Sequence, residues 1–168
     1  MPTKKTKLEF IFNKTNILKV KEILKKYPKN FSQSAILPLL HLAQEQSNGW
    51  LNKSVIEYIS KYLKIPLMTV YEVASFYHMF NLKKVGKNCI HVCTTTPCWL
   101  KGSDLILKEF EKNLNIKVGE VTKDGYCSLN EIECLGACID APVIKINDNY
   151  HENLKLDGIK KIVKNLKK

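Results

Sequence analysis

Four cysteines carry the most informative chemistry in this sequence: Cys93-x4-Cys98, then 35 intervening residues, then Cys134-x3-Cys138. Thiolates in two pairs are what a binuclear [2Fe–2S] unit needs, two for each iron. A structural zinc ion also takes four thiolates in two pairs, but its usual pairs are separated by two residues. Buried thiols or a disulfide are the third reading. A dithiol redox pair would want C-x-x-C, which is absent. Spacing therefore favours iron–sulfur over zinc and leaves both open. Between the second pair, Leu135-Gly136-Ala137 supplies a glycine through which backbone can come close to an inorganic core. Amides around Gly136 and in the Thr94-Thr95-Thr96 loop are candidate hydrogen-bond donors to sulfur.

Cys89 and Cys127 complete the six cysteines. On one strand Cys89 and Cys93 share a face, roughly 13 Å apart at about 3.3 Å per residue, too far to hold one small cluster. Cys89 reads as a small buried hydrophobe, and Cys127, with no cysteine near it in sequence, reads the same way. His41, His78, His91 and His151 show no metal spacing. No Gly-rich phosphate loop, nucleophile elbow or paired catalytic carboxylates are present, so no catalytic residue is assigned.

The elements that must position the thiols divide near Lys83-Lys84-Val85-Gly86-Lys87. Residues 1–84 read as a small helical domain. Apolar positions recur at helical spacing in Ile17 to Lys26, in Ser34 to Gln46 with Ser32 or Ser34 as cap, in a helix capped by Asn52 or Ser54 and carrying Val55, Ile56, Ile59, Tyr62 and Leu63, and in a fourth opened by Pro66. Residues 85–168 read as an α/β layer. Strands are expected at Asn88 to Cys93, Lys117 to Val121, Tyr126 to Glu131, Pro142 to Ile146 and Tyr150 to Leu154. Helices are expected from Ser103, as cap, through Leu107, Phe110 and Leu114, and from Gly158 to Leu166. The fold class is α+β: a helical bundle followed by a small mixed sheet with helices packed on it.

All 27 basic residues are lysine, and the net charge of +11 is uneven. Residues 1–85 carry 14 Lys against 5 Glu, a balance of +9, and residues 86–168 carry 13 Lys against 11 acids, a balance of +2. A nucleic-acid reader would use arginine for bidentate contacts, and there is none, so nucleic acid is not an expected partner. The basic half suits an acidic protein surface instead. The longest apolar stretch, Ala35 to Ala43, contains Pro38 and His41 and falls short of the roughly 18–20 residues of a membrane span. No signal peptide is expected, nor an arginine-rich presequence, and six cysteines are expected in a reducing compartment.

Four segments carry a family resemblance. Cys93-Thr94-Thr95-Thr96-Pro97-Cys98-Trp99-Leu100-Lys101-Gly102-Ser103 and Glu133-Cys134-Leu135-Gly136-Ala137-Cys138-Ile139-Asp140-Ala141-Pro142 closely resemble the thioredoxin-like [2Fe–2S] subunits of respiratory complex I, known as the E subunit of NADH-quinone oxidoreductase in bacteria and as flavoprotein 2 in mitochondria. Ser34 to Gln46 and Val70 to Tyr77 resemble the helical half of the same family, so the likeness spans about residues 10 to 160. It implies a thioredoxin-like domain in which Cys93, Cys98, Cys134 and Cys138 hold one [2Fe–2S] cluster. It further implies a flavoprotein partner that binds FMN and NADH, exchange of single electrons with that flavin, and association with other peripheral-arm subunits. The chain itself would bind neither NADH nor FMN and would not enter the membrane. The place implied is the cytoplasmic side of a bacterial inner membrane or the matrix side of a mitochondrial one. Family members in soluble NAD-linked hydrogenases and formate dehydrogenases are an alternative setting, and a four-cysteine zinc module or a stand-alone ferredoxin are alternatives of another class. Cys89 and Cys127 match no ligand of the family.

Overall fold

The computed structural model describes residues 10–166, and the chain falls into two compact units, Met1–Lys84 and Val85–Lys168. In the first unit, α1 (Lys14–Lys25) starts where the Asn13 side chain accepts the Asn16 amide at 2.8 Å. α2 (Ile36–Gln46) follows a 3-10 stretch, Lys29–Ala35, broken by the non-helical Phe31. Neither Ser32 nor Ser34 caps α2. Its first residue follows Ala35, and Pro38 sits in its first turn, where a missing N–H costs nothing. For α3 (Lys53–Leu63) the cap is Asn52, whose side chain accepts the Val55 amide at 3.0 Å. α4 (Leu67–Phe76) begins after Pro66. Val20, Leu39, Leu40, Val55, Ile59 and Val70 are fully buried at the centre of this bundle, each worth about 1.5–3 kcal/mol. Tyr62 of the expected α3 stripe stands outside, 37% exposed.

The second unit is built on a four-stranded sheet in the order β2-β1-β3-β4, comprising β1 (Asn88–Cys93), β2 (Cys127–Ile132), β3 (Ile144–Ile146) and β4 (Asn149–His151). β1 pairs in parallel with β2 and antiparallel with β3, and β3 pairs antiparallel with β4. Between β1 and β2 the chain forms a five-residue helix, α5 (Thr96–Leu100), and the longer α6 (Ser103–Leu114). Side chains alternate along each strand, so Ile90, Val92, Cys127, Leu129, Ile144 and Ile146 gather in one apolar cluster. Packed into the same cluster are Ile106, Phe110 and Leu114 of α6, and Ile159 and Val163 of α7 (Leu156–Leu166). The architecture is α+β with a mixed sheet, as the alternation of strand and helix signals implies.

Two local expectations are corrected. Lys117 to Val121 is not a strand but a turn: the Lys117 amide donates to the Glu120 carboxylate at 2.7 Å, and only Val121 bridges to Ser128. Ser103 does not cap α6; Gly102 occupies that position, and Ser103 is buried as the first helical residue. The chain enters β1 over Gly86, which lies on the backbone of β2. A Cβ there would stand 2.4 Å from the Cys127 carbonyl carbon, so only glycine allows this approach.

Candidate metal centre

Parallel pairing decides where the cysteines meet. Cys93, the last residue of β1, lies opposite Ile132, the last residue of β2, so both strands deliver their following loops to the same end of the sheet. The end of β1 is held on both sides: the Cys93 amide donates to Val143 O at 3.1 Å and the Thr94 amide to Ile132 O at 3.2 Å. Beyond it comes α5, started by Pro97 in its first turn, and Cys98 lies within this short helix. Past β2, Glu133 to Ala137 form a loop and Cys138–Asp140 a 3-10 turn, followed by a cis Ala141–Pro142 bond into β3. Cys93 and Cys98 are each 1% exposed, packed with Ala141 and Val143 and flanked by Ile132, Leu135 and Ala137. Cys134 and Cys138 are exposed.

The thiols come together two and two. Cys93 and Cys98 influence each other's thiols, as Cys134 does that of Cys138, and Cys138 lies within electrostatic reach of both Cys93 and Cys98. Burial pushes the Cys93 thiol up, yet the Thr95 hydroxyl and amide, the Cys98 thiol and the Leu135 amide outweigh it and hold Cys93 below the ordinary thiol range. Cys98 goes the other way, to about 11, chiefly through burial and then through its neighbour Cys93. Cys138, though exposed, is raised by partial desolvation from its neighbours and by Cys134.

Hydrogen bonds to sulfur are built into both loops. Thr95 stands at the N-cap of α5 with extended backbone but makes no capping bond; its hydroxyl lies 3.2 Å from Cys93 Sγ instead. A residue type normally spent on capping has been turned to the thiol. In the second loop the Gly136 amide donates to Cys134 Sγ at 3.3 Å, and Gly136 takes a left-handed φ of 77° with nothing within 4 Å of a Cβ position. Its glycine is required by this backbone conformation, not by close approach of a neighbour. Amide donors are thus present in both loops, as the sequence suggests, whereas neither α5 nor the role of the Thr95 hydroxyl is legible there. A helix of five residues shows no period.

The remaining candidates lie apart. Cys89 is half-buried rather than buried: its amide donates to Asn147 Oδ1 at 2.9 Å and its thiol to Gly86 O at 3.5 Å. Cys127 is fully buried among the sheet's apolar residues. The buried Nδ1 of His91 meets no hydrogen-bond partner among the described residues, and burial followed by Lys145 holds its pKa low. His41 packs on Phe80 at 4.9 Å. Among the described residues no three His, Cys, Asp or Glu side chains converge on the position of a single ion. Four thiols arranged as two pairs, with amide and hydroxyl donors aimed at sulfur, fit the donor set of a binuclear cluster better than that of one tetrahedral ion.

A family model described as thioredoxin-like [2Fe–2S] ferredoxin matches residues 20–167. The chain is 56% identical over 163 residues to the E subunit of NADH-quinone oxidoreductase from Rickettsia typhi, covering 97% of this chain and 96% of that protein. It is 50% identical over 145 residues to the mitochondrial NADH dehydrogenase [ubiquinone] flavoprotein 2 of Dictyostelium discoideum, covering 86% of this chain and 59% of that one. Among solved structures, an NAD+-reducing [NiFe]-hydrogenase superposes with a TM-score of 0.70 at 21% identity. That match covers 79% of this chain but only 23% of the hydrogenase chain, and it speaks for the fold alone. The loops, the sheet and the sequence likeness converge: the chain belongs to the thioredoxin-like [2Fe–2S] ferredoxin family, in the company of the bacterial E subunits and mitochondrial flavoprotein 2 that it resembles over most of its length.

Proposed function

We propose that this chain is an electron-transfer subunit of an NADH:quinone oxidoreductase, holding one [2Fe–2S] cluster on Cys93, Cys98, Cys134 and Cys138. The observation that carries the reading is the pairing of four thiols from two loops at one end of β1 and β2. Cys93 with Cys98 would serve one iron and Cys134 with Cys138 the other. When bound, such a cluster supplies one-electron exchange. The chain's own residues do the rest. Four thiols must give up their protons, and the donors on Cys93 prepare one of them. The Thr95 hydroxyl and the Leu135 amide hold negative charge at Cys93 Sγ, and the Gly136 amide holds it at Cys134 Sγ. Ala141, Val143 and Ile132 keep water from the first pair, while the second pair stays at the surface.

In this reading residues 85–168 are the cluster domain and residues 1–84 a helical domain. The partner is a flavoprotein subunit that binds FMN and NADH; this sequence offers no phosphate-cradling loop of its own. Likeness to the bacterial E subunits over nearly their whole length supports this assembly over a soluble hydrogenase. No helix among the described residues is long and apolar enough to cross a membrane, so the chain would join the enzyme as a peripheral subunit. The test is co-expression with the flavoprotein subunit, with iron, acid-labile sulfide, zinc and FMN measured together. Two irons and two sulfides per chain, with a rhombic EPR signal on reduction and FMN in the partner, are expected. A colourless chain with one zinc refutes the reading.

A further inference from the structure

The cysteine site leaves one surface of the helical unit unexplained. Only Val70 and Ala74 of α4 are buried, whereas Leu67, Met68, Tyr71 and Phe76 are 43%, 63%, 48% and 74% exposed. Glu72 is the single charged residue on this helix. A helix on the outside of a small bundle normally turns a polar face to water, and this one turns an apolar face. Beside it runs an open groove of about 590 Å3. Leu67, Met68 and Tyr71 of α4 line it together with Leu51 and Ile56, and Lys53 is the charged residue in its lining. Leu82 also lines it, and the exposed Lys83 and Lys84 follow in the chain. The Lys53 side chain is 85% exposed, and its ammonium reaches the Glu57 carboxylate only at 3.9 Å.

We propose that this groove seats the apolar edge of an amphipathic helix from another protein, one flanked by Asp and Glu. The groove's volume falls in the roughly 300–1,000 Å3 of pockets that enclose a ligand or several side chains. Its walls match helix-in-groove recognition, where anchors at i, i+3 or i+4, and i+7 enter an apolar cleft. Met68 supplies an adaptable wall. The charge selects among occupants. Lys53 is the charged side chain lining a cleft on a half-chain with a balance of +9, so acidic flanks gain and basic ones lose. A second copy of this chain would bring another lysine-rich surface at a net +11 and is disfavoured by the same argument. A small ligand would want several convergent polar groups, and the walls present one amine. The groove and its occupant are independent of the cluster reading.

The test uses the full, cluster-bearing chain and a fluorescein-labelled designed helix with leucine at i, i+3, i+4 and i+7 and glutamate elsewhere. Saturable binding is expected by anisotropy, weakened by salt, and weakened about tenfold or more by Tyr71→Glu. Both the circular dichroism and the visible spectrum of that variant should match the parent, because Tyr71 is surface-placed; Met68→Glu serves as the second variant and should act alike. A companion helix with lysine in place of glutamate should not bind. The proposal is overturned if the acidic helix fails to bind, if both variants bind it as well as the parent, or if the lysine helix binds as tightly. Preferential binding to phosphatidylglycerol vesicles, or self-association of the chain lost on Tyr71→Glu, overturns it as well.

Discussion

Replacing Thr95 by valine tests the electrostatics of the site with almost no change of shape. Valine keeps the branched outline and removes the hydroxyl that lies 3.2 Å from Cys93 Sγ. Capping of α5 should not suffer, because Thr95 makes no capping bond to lose. On a ligand thiolate the hydroxyl can only donate, and a donor gains strength as an added electron raises the negative charge on sulfur. Removing it therefore lowers the reduction potential. The magnitude follows from the hydrogen bond: a net worth of about 0.5–1.5 kcal/mol, if it acts mainly on the reduced form, converts to about 20–65 mV for a one-electron couple. A second readout needs no metal. In the metal-free chain the same hydroxyl helps hold Cys93 low, so valine should move the Cys93 thiol upward. The assays are an EPR-monitored potentiometric titration and the pH dependence of Cys93 alkylation, with Thr94→Val as control. An unchanged or raised potential, or a Cys93 titration indifferent to the hydroxyl, refutes the reasoning.

Each of Cys93→Ser, Cys98→Ser, Cys134→Ser and Cys138→Ser should abolish or cripple cluster binding, whereas Cys89→Ala and Cys127→Ala should retain two irons per chain; iron and sulfide analysis decides, and loss of iron in either of the last two would displace the ligand set. Gly86→Ala should destabilise the sheet unit by about 1–3 kcal/mol, because the new methyl meets β2 backbone at 2.4–2.7 Å and no side chain can swing aside; thermal melts of the cluster-bearing chain measure it. In the metal-free chain Cys98 is raised from 9.0 to about 11, so the folded state binds that proton more tightly than the unfolded state. Its contribution to stability is complete below pH about 9 and is lost as pH rises through about 11, and urea melts across that window should show a fall that Cys98→Ala reduces.

Sequence signals hold where the deciding interaction is local. Asn52 caps α3 with its own side chain, and β1 begins and ends where the alternation from Asn88 to Cys93 begins and ends. They fail where the surrounding structure decides. Ser34 has capping chemistry, but a 3-10 stretch through Ala35 precedes α2 and leaves that chemistry unused. Lys117 to Val121 has the alternation of a strand, yet the Glu120 carboxylate folds it into a turn. Thr95 is the instructive case, because a capping residue at a helix start reads as a cap in any sequence. Only the position of Cys93 Sγ shows that its hydroxyl is used otherwise.

The 35 residues between Cys98 and Cys134 now have a physical cause. Two adjacent strands whose loops must open at one end have to run parallel, and a parallel neighbour cannot be reached through a hairpin. The chain must cross back along the sheet, which takes a dozen or more residues and is usually done by a helix. Here α6 makes that return, and its Ile106, Phe110 and Leu114 pack on the strands it connects. The gap that separates the thiol pairs in sequence is the crossover that unites them in space. A zinc knuckle closes its site with short local loops and needs no such span. The length of the gap, uninformative when set beside the x4 and x3 spacings, is thus the signature of a sheet-borne site. It also explains the asymmetry of the pairs. β1 lies between β2 and β3 and leads into a buried first pair, while β2 borders the sheet and leads into a pair left at the surface.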